Sequence, residues 1–306
     1  MTLSRLRIGT RGSRLALVQT RLFLRSLARI APEVAAQSEI VPLRTAGDRN
    51  HTEKLGSNTP VGFFTNEIDG ALLAGHVDVA VHAMKDVPVI RPEGFVVPCM
   101  LKREEPRDVF VSQKFRKLQH LPKGAILGSA SLRREAQIKL IRPDIQFALL
   151  RGDVEDRLLS MMERNLAGTV LAYAGLKRLS LDKFINQILD EDSVLPDPGQ
   201  GAIGVECRAD KIGLRQLLET INDRHTHSAV TAERAFLESV GAGVGIAVGG
   251  LAAIEGNTLY LKGGLFSADG ISSNTDTIIG SKGQARVLGQ ILGRRLRERL
   301  LLREVA

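Results

Sequence analysis

The sequence predicts an α/β chain, with two β/α lobes around a cleft followed by a small α+β domain at the C-terminal end. Three observations carry that expectation. Short apolar runs of strand length alternate, twice over, with segments whose apolar residues recur at helical spacing, the pattern of a parallel or mixed sheet flanked by helices. Proline and glycine interrupt the alternation near Pro106 and again in Leu195-Pro-Asp-Pro-Gly-Gln-Gly201. Beyond His225 the texture changes to one helix, a glycine-rich loop, two strand-like runs and a final long helix.

Each element follows from local pattern. Leu6 to Gly9 is a short apolar run and reads as a strand; Ser13 to about Ile30 carries apolar residues at helical spacing. A strand at Ile40–Leu43, a helix from about Thr65 to Ala74 and the apolar run Val77–His82 complete the first lobe. Asp48 to Gly62, rich in Gly, Asn, Ser, Thr and Pro, is expected to be a mobile surface loop. The second lobe holds strands at Val109–Val111, Ala125–Gly128, Ile145–Leu149 and Thr169–Ala172, with helices at Leu132–Leu140 and Val154–Arg164. The apolar run Ala202–Glu206 is placed to cross back to the first lobe. In the last part a helix over Ser228–Val240 precedes the loop Gly241–Gly249, strands follow around Val248–Ile254 and Thr258–Gly263, and a helix starts at Gly283. The domain assignment is therefore residues 1–101 with 202–219, then 107–195, then 224–306. Two lobes joined by chain crossings form a hinged cleft, a common place for ligands.

Composition limits the function. The chain has 306 residues, 43% of them apolar and only 4% aromatic, with no tryptophan, so bases would find few stacking surfaces. The net charge of +8 resides in scattered arginines and not in one continuous basic face. Arg11, Arg133, Arg134, Arg151, Arg157 and Arg178 fall near strand-to-helix junctions or in first helical turns, which favours a concave site for carboxylates or phosphates. Arg294, Arg295, Arg297 and Arg299 alternate with leucines as on the solvated face of a terminal helix. The two cysteines, Cys99 and Cys207, stand apart with no CxxC or Cys/His cluster, so neither a disulfide framework nor a metal site is expected. The start lacks an apolar signal core, and no stretch approaches the ~18 apolar residues of a membrane span. A cytoplasmic monomer with no nucleic-acid or membrane partner is the expectation.

Five segments carry candidate chemistry. Gly9-Thr-Arg-Gly-Ser-Arg is a turn at a strand end, with Thr10 and Ser13 as capping hydroxyls and Arg11 beside free backbone N–H groups; capping and anion binding both remain open. His82-Ala-Met-Lys-Asp-Val-Pro88 closes an apolar strand with Lys85 and Asp86, a carboxylate able to hold developing positive charge or shuttle a proton; His82 itself reads as a core histidine. Gly128-Ser-Ala-Ser-Leu-Arg-Arg134 sets Ser129, Ser131, Arg133 and Arg134 on one turn, and the mutual repulsion of adjacent guanidiniums would be relieved by an anionic ligand bridging them. Arg151, Arg157 and Arg178 repeat the theme, so the ligand should bear several carboxylates.

Taken in order, GTRGSRLAL, TAGD, HAMKDVP, REEPRDVF, GSASLRREAQIK, RGDVEDR, AGLKRL and PDPGQGAIGVECR resemble the hydroxymethylbilane synthase (porphobilinogen deaminase) family over nearly the whole chain. The resemblance implies two lobes of the periplasmic-binding-protein type. It also implies a transferase of tetrapyrrole and heme biosynthesis, which joins four porphobilinogen molecules head to tail with loss of ammonia. Asp86 would be the catalytic carboxylate, stabilising cationic azafulvene and pyrrole intermediates. Arg11, Ser13, Lys85, Ser129, Ser131, Arg133, Arg134, Arg151, Arg157, Arg178 and Gln200 would hold the acetate and propionate arms of porphobilinogen, of linear oligopyrroles and of a dipyrromethane cofactor.

That family fixes its dipyrromethane through a cysteine, and here the position is Val244, which cannot form a thioether. Other departures are Val61 for a loop lysine, Ala83 for a serine, Asp153 for an asparagine and Ile246-Ala247 for Val-Pro. The cofactor is therefore expected to be non-covalent or absent. Two functions stay open, a synthase with an untethered primer and a binding protein for acidic pyrroles.

Overall fold

Alternating apolar strands and amphipathic helices build the chain, which the computed structural model describes over residues 5–49, 60–241 and 246–304. In order these are β1 (Arg7–Arg11), α1 (Arg14–Ala28), α2 (Pro32–Gln37), β2 (Glu39–Leu43), α3 (Ala46–Arg49), α4 (Asn66–Leu73), β3 (Val79–Ala83) and β4 (Phe95–Met100). There follow β5 (Asp108–Val111), β6 (Ile126–Ser129), α5 (Leu132–Ile141), β7 (Gln146–Leu149), α6 (Val154–Glu163), β8 (Gly168–Ala172), α7 (Tyr173–Arg178) and β9 (Gln187–Ile188). The last are β10 (Ile203–Arg208), α8 (Ile212–Glu219), α9 (Arg224–Val240), β11 (Ile246–Glu255), β12 (Thr258–Ser267), β13 (Ser273–Ser281) and α10 (Ala285–Glu304).

The chain divides into two compact units. Among the described residues the first comprises 5–49, 60–104 and 202–227, and the second 105–201, 228–241 and 246–304.

In the first unit a five-stranded sheet runs β2-β1-β3-β10-β4. β1 pairs parallel with β2 and β3, and β10 pairs antiparallel with β3 and β4, so Ala202–Glu206 does return to the first sheet. Period-two alternation covers both faces. Leu6, Ile8, Val79 and Val81 pack with Phe23 and Leu27 of α1 and Leu214 and Leu218 of α8, while Val77 and Ala80 pack with Ile68, Ala71 and Leu72 around α4.

The second unit repeats this plan in a sheet of order β7-β6-β8-β5-β9, parallel at β6/β7 and β6/β8 and antiparallel around β5. Phe110, Leu127 and Val170 face one cluster, and Val109, Val111 and Leu171 the other. Its remaining sheet, β11-β12-β13, is antiparallel and buries Leu259, Leu261 and Leu265 against Phe236 of α9 and Leu288, Leu292 and Leu296 of α10. Ala247 and Phe266 join Ala136 and Leu195 in a small cluster between the two sheets of this unit.

Sequence patterning missed β4, β13 and α8. β4 contains Pro98, which cannot donate to a ladder and so argues against a strand, yet β4 is an edge, where proline is tolerated. β13 is a polar run, Ser-Asn-Thr-Asp-Thr, on the edge of the three-stranded sheet, where one face remains wet. Of the expected loop Asp48–Gly62, residues 50–59 lie outside the described residues, and Asp48 sits in the short helix α3.

Candidate functional site

The candidate residues divide between the two units, and each half has its own geometry. In the first, β1 ends at Arg11 and α1 begins after Ser13, whose Oγ accepts from the Ala16 N–H at 3.3 Å; Ser13 is a helix cap. Thr10 is not. It is buried in β1, and its hydroxyl donates to the Val81 carbonyl at 3.4 Å.

Arg11 is held from two sides. Its Nε donates to Asp48 Oδ1 at 2.9 Å and its Nη2 reaches the same oxygen, while its guanidinium carbon stands 4.5 Å over the Phe64 ring. Nη1 lies 3.7 Å from Asp86 Oδ2. Asp48 Oδ2 also accepts from the Thr45 N–H at 3.0 Å and the Thr45 hydroxyl at 2.8 Å. Burial opposes ionisation of Asp48, but the hydrogen bonds from Arg11 and Thr45 outweigh it and hold the carboxyl below its ordinary value. Gly47 is required here, since a β-carbon on it would stand 2.1 Å from the Phe64 ring.

Asp86 closes a single 3-10 turn, Met84–Asp86, at the end of β3. The Met84 N–H donates to the Ala202 carbonyl at 3.0 Å, fixing the turn against the chain entering β10, and the Asp86 side chain remains 27% exposed. Lys85 is exposed. Behind the turn, His82 is buried with Nε2 3.3 Å from Glu206 Oε2. Arg91 donates to both Glu206 (2.8 Å from Nε) and Asp69 (3.0 Å from Nη1). The Asp69, His82 and Glu206 ligand atoms lie within 4.8 Å of one another, but the Arg91 guanidinium already supplies positive charge to both carboxylates. Sequence reading found none of these partners except His82, which it placed in the core.

In the second unit Ser131 caps α5, its Oγ accepting from the Arg134 N–H at 3.5 Å, and Ser129 Oγ accepts from the Ser131 N–H at 3.0 Å. A carboxylate of the protein itself bridges the adjacent guanidiniums, where the sequence predicts a ligand anion. Asp108, fully buried at the start of β5, lies 2.8 Å from Arg133 Nη2 through Oδ2 and 2.8 Å from Arg134 Nη2 through Oδ1. Gln200 adds a third donor to Asp108 at 2.9 Å and a bond to the Pro106 carbonyl at 2.6 Å. Burial works against the ionised Asp108, but the fields of Arg133 and Arg134 with the bonds from Arg134 and Gln200 pull it well below the carboxylate range. For Arg133, burial disfavours the cation, yet Asp108 and Asp197 more than compensate and raise its pKa.

The turn bearing Gln200 is set by glycines. Gly199 and Gly201 have φ of +82° and +83°, and the Gly199 N–H donates at 2.6 Å to buried Glu233, which also accepts from the Ala252 N–H at 2.7 Å. Arg178 closes α7 and donates to the Gly201 carbonyl at 2.7 Å; Arg157 donates from Nε to the Gly152 carbonyl at 2.8 Å. Arg151 is half-buried in the link from β7 to α6. Val61 is exposed, and Val244 lies outside the described residues.

Asp48, Phe64, Asp108 and Asp197 are the residues that sequence reasoning missed. A signal existed for Asp108, because a charge opening the otherwise apolar strand Asp-Val-Phe-Val needs a buried partner.

The family model described as "Porphobilinogen deaminase, dipyromethane cofactor binding domain" matches residues 6–216, and "Porphobilinogen deaminase, C-terminal domain" matches residues 227–298. The chain is 41% identical over 291 residues to the porphobilinogen deaminase of Syntrophomonas wolfei, covering 95% of this chain and 94% of that one. It is 43% identical over 263 residues to that of Carboxydothermus hydrogenoformans, covering 86% and 84%. Among solved structures, the periplasmic VFT2 domain of BvgS from Bordetella pertussis is similar at 13% identity and a TM-score of 0.44, over 72% of this chain and 87% of that one. The fold is thus α/β with two five-stranded sheets and a smaller three-stranded one, and the chain belongs to the porphobilinogen deaminase family of transferases.

The family's dipyrromethane carries acidic arms, and the arginine and N–H donors suit them. A thioether is another matter. Val244 has no sulfur, and Cys99 and Cys207 are both fully buried, with burial pushing each thiol up to about 12. Among the described residues no helix is long and apolar enough to cross a membrane.

Proposed function

We propose that this chain deaminates porphobilinogen and condenses it head to tail to hydroxymethylbilane, priming on a dipyrromethane held without a covalent bond. The observation that carries the reading is the pair Arg11–Asp86, a half-exposed carboxylate fixed at the end of β3 with a guanidinium 3.7 Å away. When bound, the dipyrromethane supplies the pyrrole carbon to which the first new ring is joined. Asp86 holds the positive charge that develops on the reacting pyrrole as ammonia leaves and accepts or returns its proton. Arg11 stands 3.7 Å from Asp86, and Asp48 and Phe64 keep Arg11 in place. Ser13, Lys85, Ser129, Ser131, Arg133, Arg134, Arg151, Arg157, Arg178 and Gln200 receive the acidic arms. The three-domain division, a cytoplasmic location and a monomeric state belong to the same reading.

Retention of the primer is the energetic question. Four carboxylates at about 1.5–3 kcal/mol per charge-assisted hydrogen bond give ~6–12 kcal/mol, against an association cost of ~4–15 kcal/mol. Those ranges overlap, so product length is more sensitive to loss of the thiol than binding is. A second reading, a binding protein for acidic pyrroles without turnover, is favoured by the valine at 244 together with the two inert cysteines.

The deciding experiment pairs intact-mass measurement with an ammonia-release assay on porphobilinogen. The expected result is the mass of the bare polypeptide together with measurable ammonia release. A mass increment of two pyrrole units that survives denaturation would overturn the untethered primer, and binding without ammonia release would overturn the enzyme. Val244→Cys is expected to gain that increment when supplied with porphobilinogen.

A further inference from the structure

Asp197 pairs with Arg133 from its more exposed side. Its Oδ2 accepts a hydrogen bond from Arg133 Nη2 at 3.3 Å, and its Oδ1 lies 3.0 Å from Arg133 Nε as an ion-pair contact without hydrogen-bond geometry, so a carboxylate occupies this edge of the guanidinium. The other contacts of Arg133 point inward. Nη1 donates to the Leu195 carbonyl at 2.6 Å, and Nη2 lies 2.8 Å from Asp108 Oδ2.

The two acidic partners of Arg133 differ in access. The Asp108 side chain is 0% exposed and is shared with Arg134 and Gln200, whereas the Asp197 side chain is 34% exposed and lies in a turn bounded by Pro196, Pro198 and Gly199. The inner carboxylate is fixed, and the outer one covers the Nε edge of a guanidinium that is itself 4% exposed. One guanidinium edge cannot take two carboxylates at once, and like charges crowded there repel.

We infer that Asp197 is a built-in competitor. It fills the carboxylate seat on Arg133 in the free protein, and an acidic arm of a pyrrole ligand binds by displacing it. The inference rests on the proposal that Arg133 holds such an arm. It gives Asp197 two effects of opposite sign: it stabilises the free chain by pairing a buried cation, and it weakens ligand binding by occupying that cation. A purely structural ion pair would do the first without the second.

The test is calorimetric titration of the full chain with porphobilinogen, in wild type, Asp197→Ala, Asp197→Asn, Arg133→Gln and Asp197→Ala/Arg133→Gln, beside thermal unfolding of each. Asp197→Ala is expected to lower the unfolding temperature yet bind porphobilinogen more tightly, on the order of tenfold, and to lose that gain when Arg133 is also replaced. Affinity equal to or weaker than wild type in both Asp197 variants overturns the inference. If Asp197→Ala does not fold, Asp197→Asn, which keeps the shape without the charge, is read alone. If instead Arg133→Gln leaves wild-type affinity unchanged, it is the assignment of Arg133 to the ligand that fails.

Discussion

The Arg11 group of the first unit and the Arg133–Arg134 group of the second are built on the same βαβ plan, and they handle charge in opposite ways. Arg11, Asp48 and Asp86 keep 22%, 16% and 27% of their side chains exposed, so the group has a wet side from which chemistry can begin. Arg133, Arg134 and Asp108 are at 4%, 6% and 0%, and the two cations are balanced by carboxylates of the chain itself, Asp108 between them and Asp197 on Arg133. A conspicuous pair of arginines in a sequence is thus not by itself a vacant anion site. Burial forces such a pair to acquire an internal counter-ion, whereas partial exposure leaves a carboxylate such as Asp86 available.

The largest expected difference is in stability. Asp108→Ala should cost about 3–5 kcal/mol, because it strands the buried Arg134 guanidinium and leaves buried Arg133 with Asp197 alone. Asp48→Ala should cost about 1–3 kcal/mol, since Arg11 can turn to water. Denaturant unfolding of the two variants measures this, and equal losses would break the comparison.

Next in size is the division of labour between chemistry and binding. Asp86→Asn is expected to abolish ammonia release while leaving porphobilinogen affinity within about twofold, and Arg134→Gln to weaken affinity by roughly ten- to a hundredfold. Calorimetry beside the ammonia assay separates them, and an Asp86 variant that still releases ammonia would remove the carboxylate from the reaction.

The pH dependence sharpens the same contrast. Asp108, Asp48 and Glu206 all have folded-state values below their ordinary ones, so each contributes stability that is fully present above the unfolded value, 3.8 for the aspartates and 4.5 for the glutamate. That stability is lost as the pH falls from there through the depressed folded value, because the unfolded chain takes up protons first. The unfolding free energy should be flat above about pH 5.5 and fall steeply below about pH 4. In Asp108→Asn the acid slope should be shallower, as measured by denaturant titrations at stepped pH, and an unchanged slope would show that Asp108 is not ionised in the fold.

The smallest effect is ionic. Porphobilinogen affinity should fall several-fold between low and physiological salt, because guanidinium–carboxylate pairs at a partly wet site are screened. An affinity independent of salt would assign binding to apolar contact.

Much of this was legible in the chain. The continuous apolar runs Val79–Val81 and Val109–Val111 state that both faces of these strands must be buried, and helical spacing in Arg14–Ala28 marks one buried face; burial of apolar surface has no directional requirement that could mislead. Ser13 as a cap follows from a rule that operates within a few residues, although Thr10, offered beside it, is no cap. The thiol missing at position 244 is likewise a matter of sequence alone, because valine has no atom that can make the bond. Partners distant in sequence were a different matter. Arg11 with Asp48, Arg91 with Asp69 and Glu206, and Arg133 with Asp108 and Asp197 are set by which strands lie side by side, and many aspartates in the chain could serve each arginine equally well by type. Residue type determined that these charges needed partners; only the packed sheets decided which ones, since electrostatic pairing depends on distance and burial that local pattern does not encode.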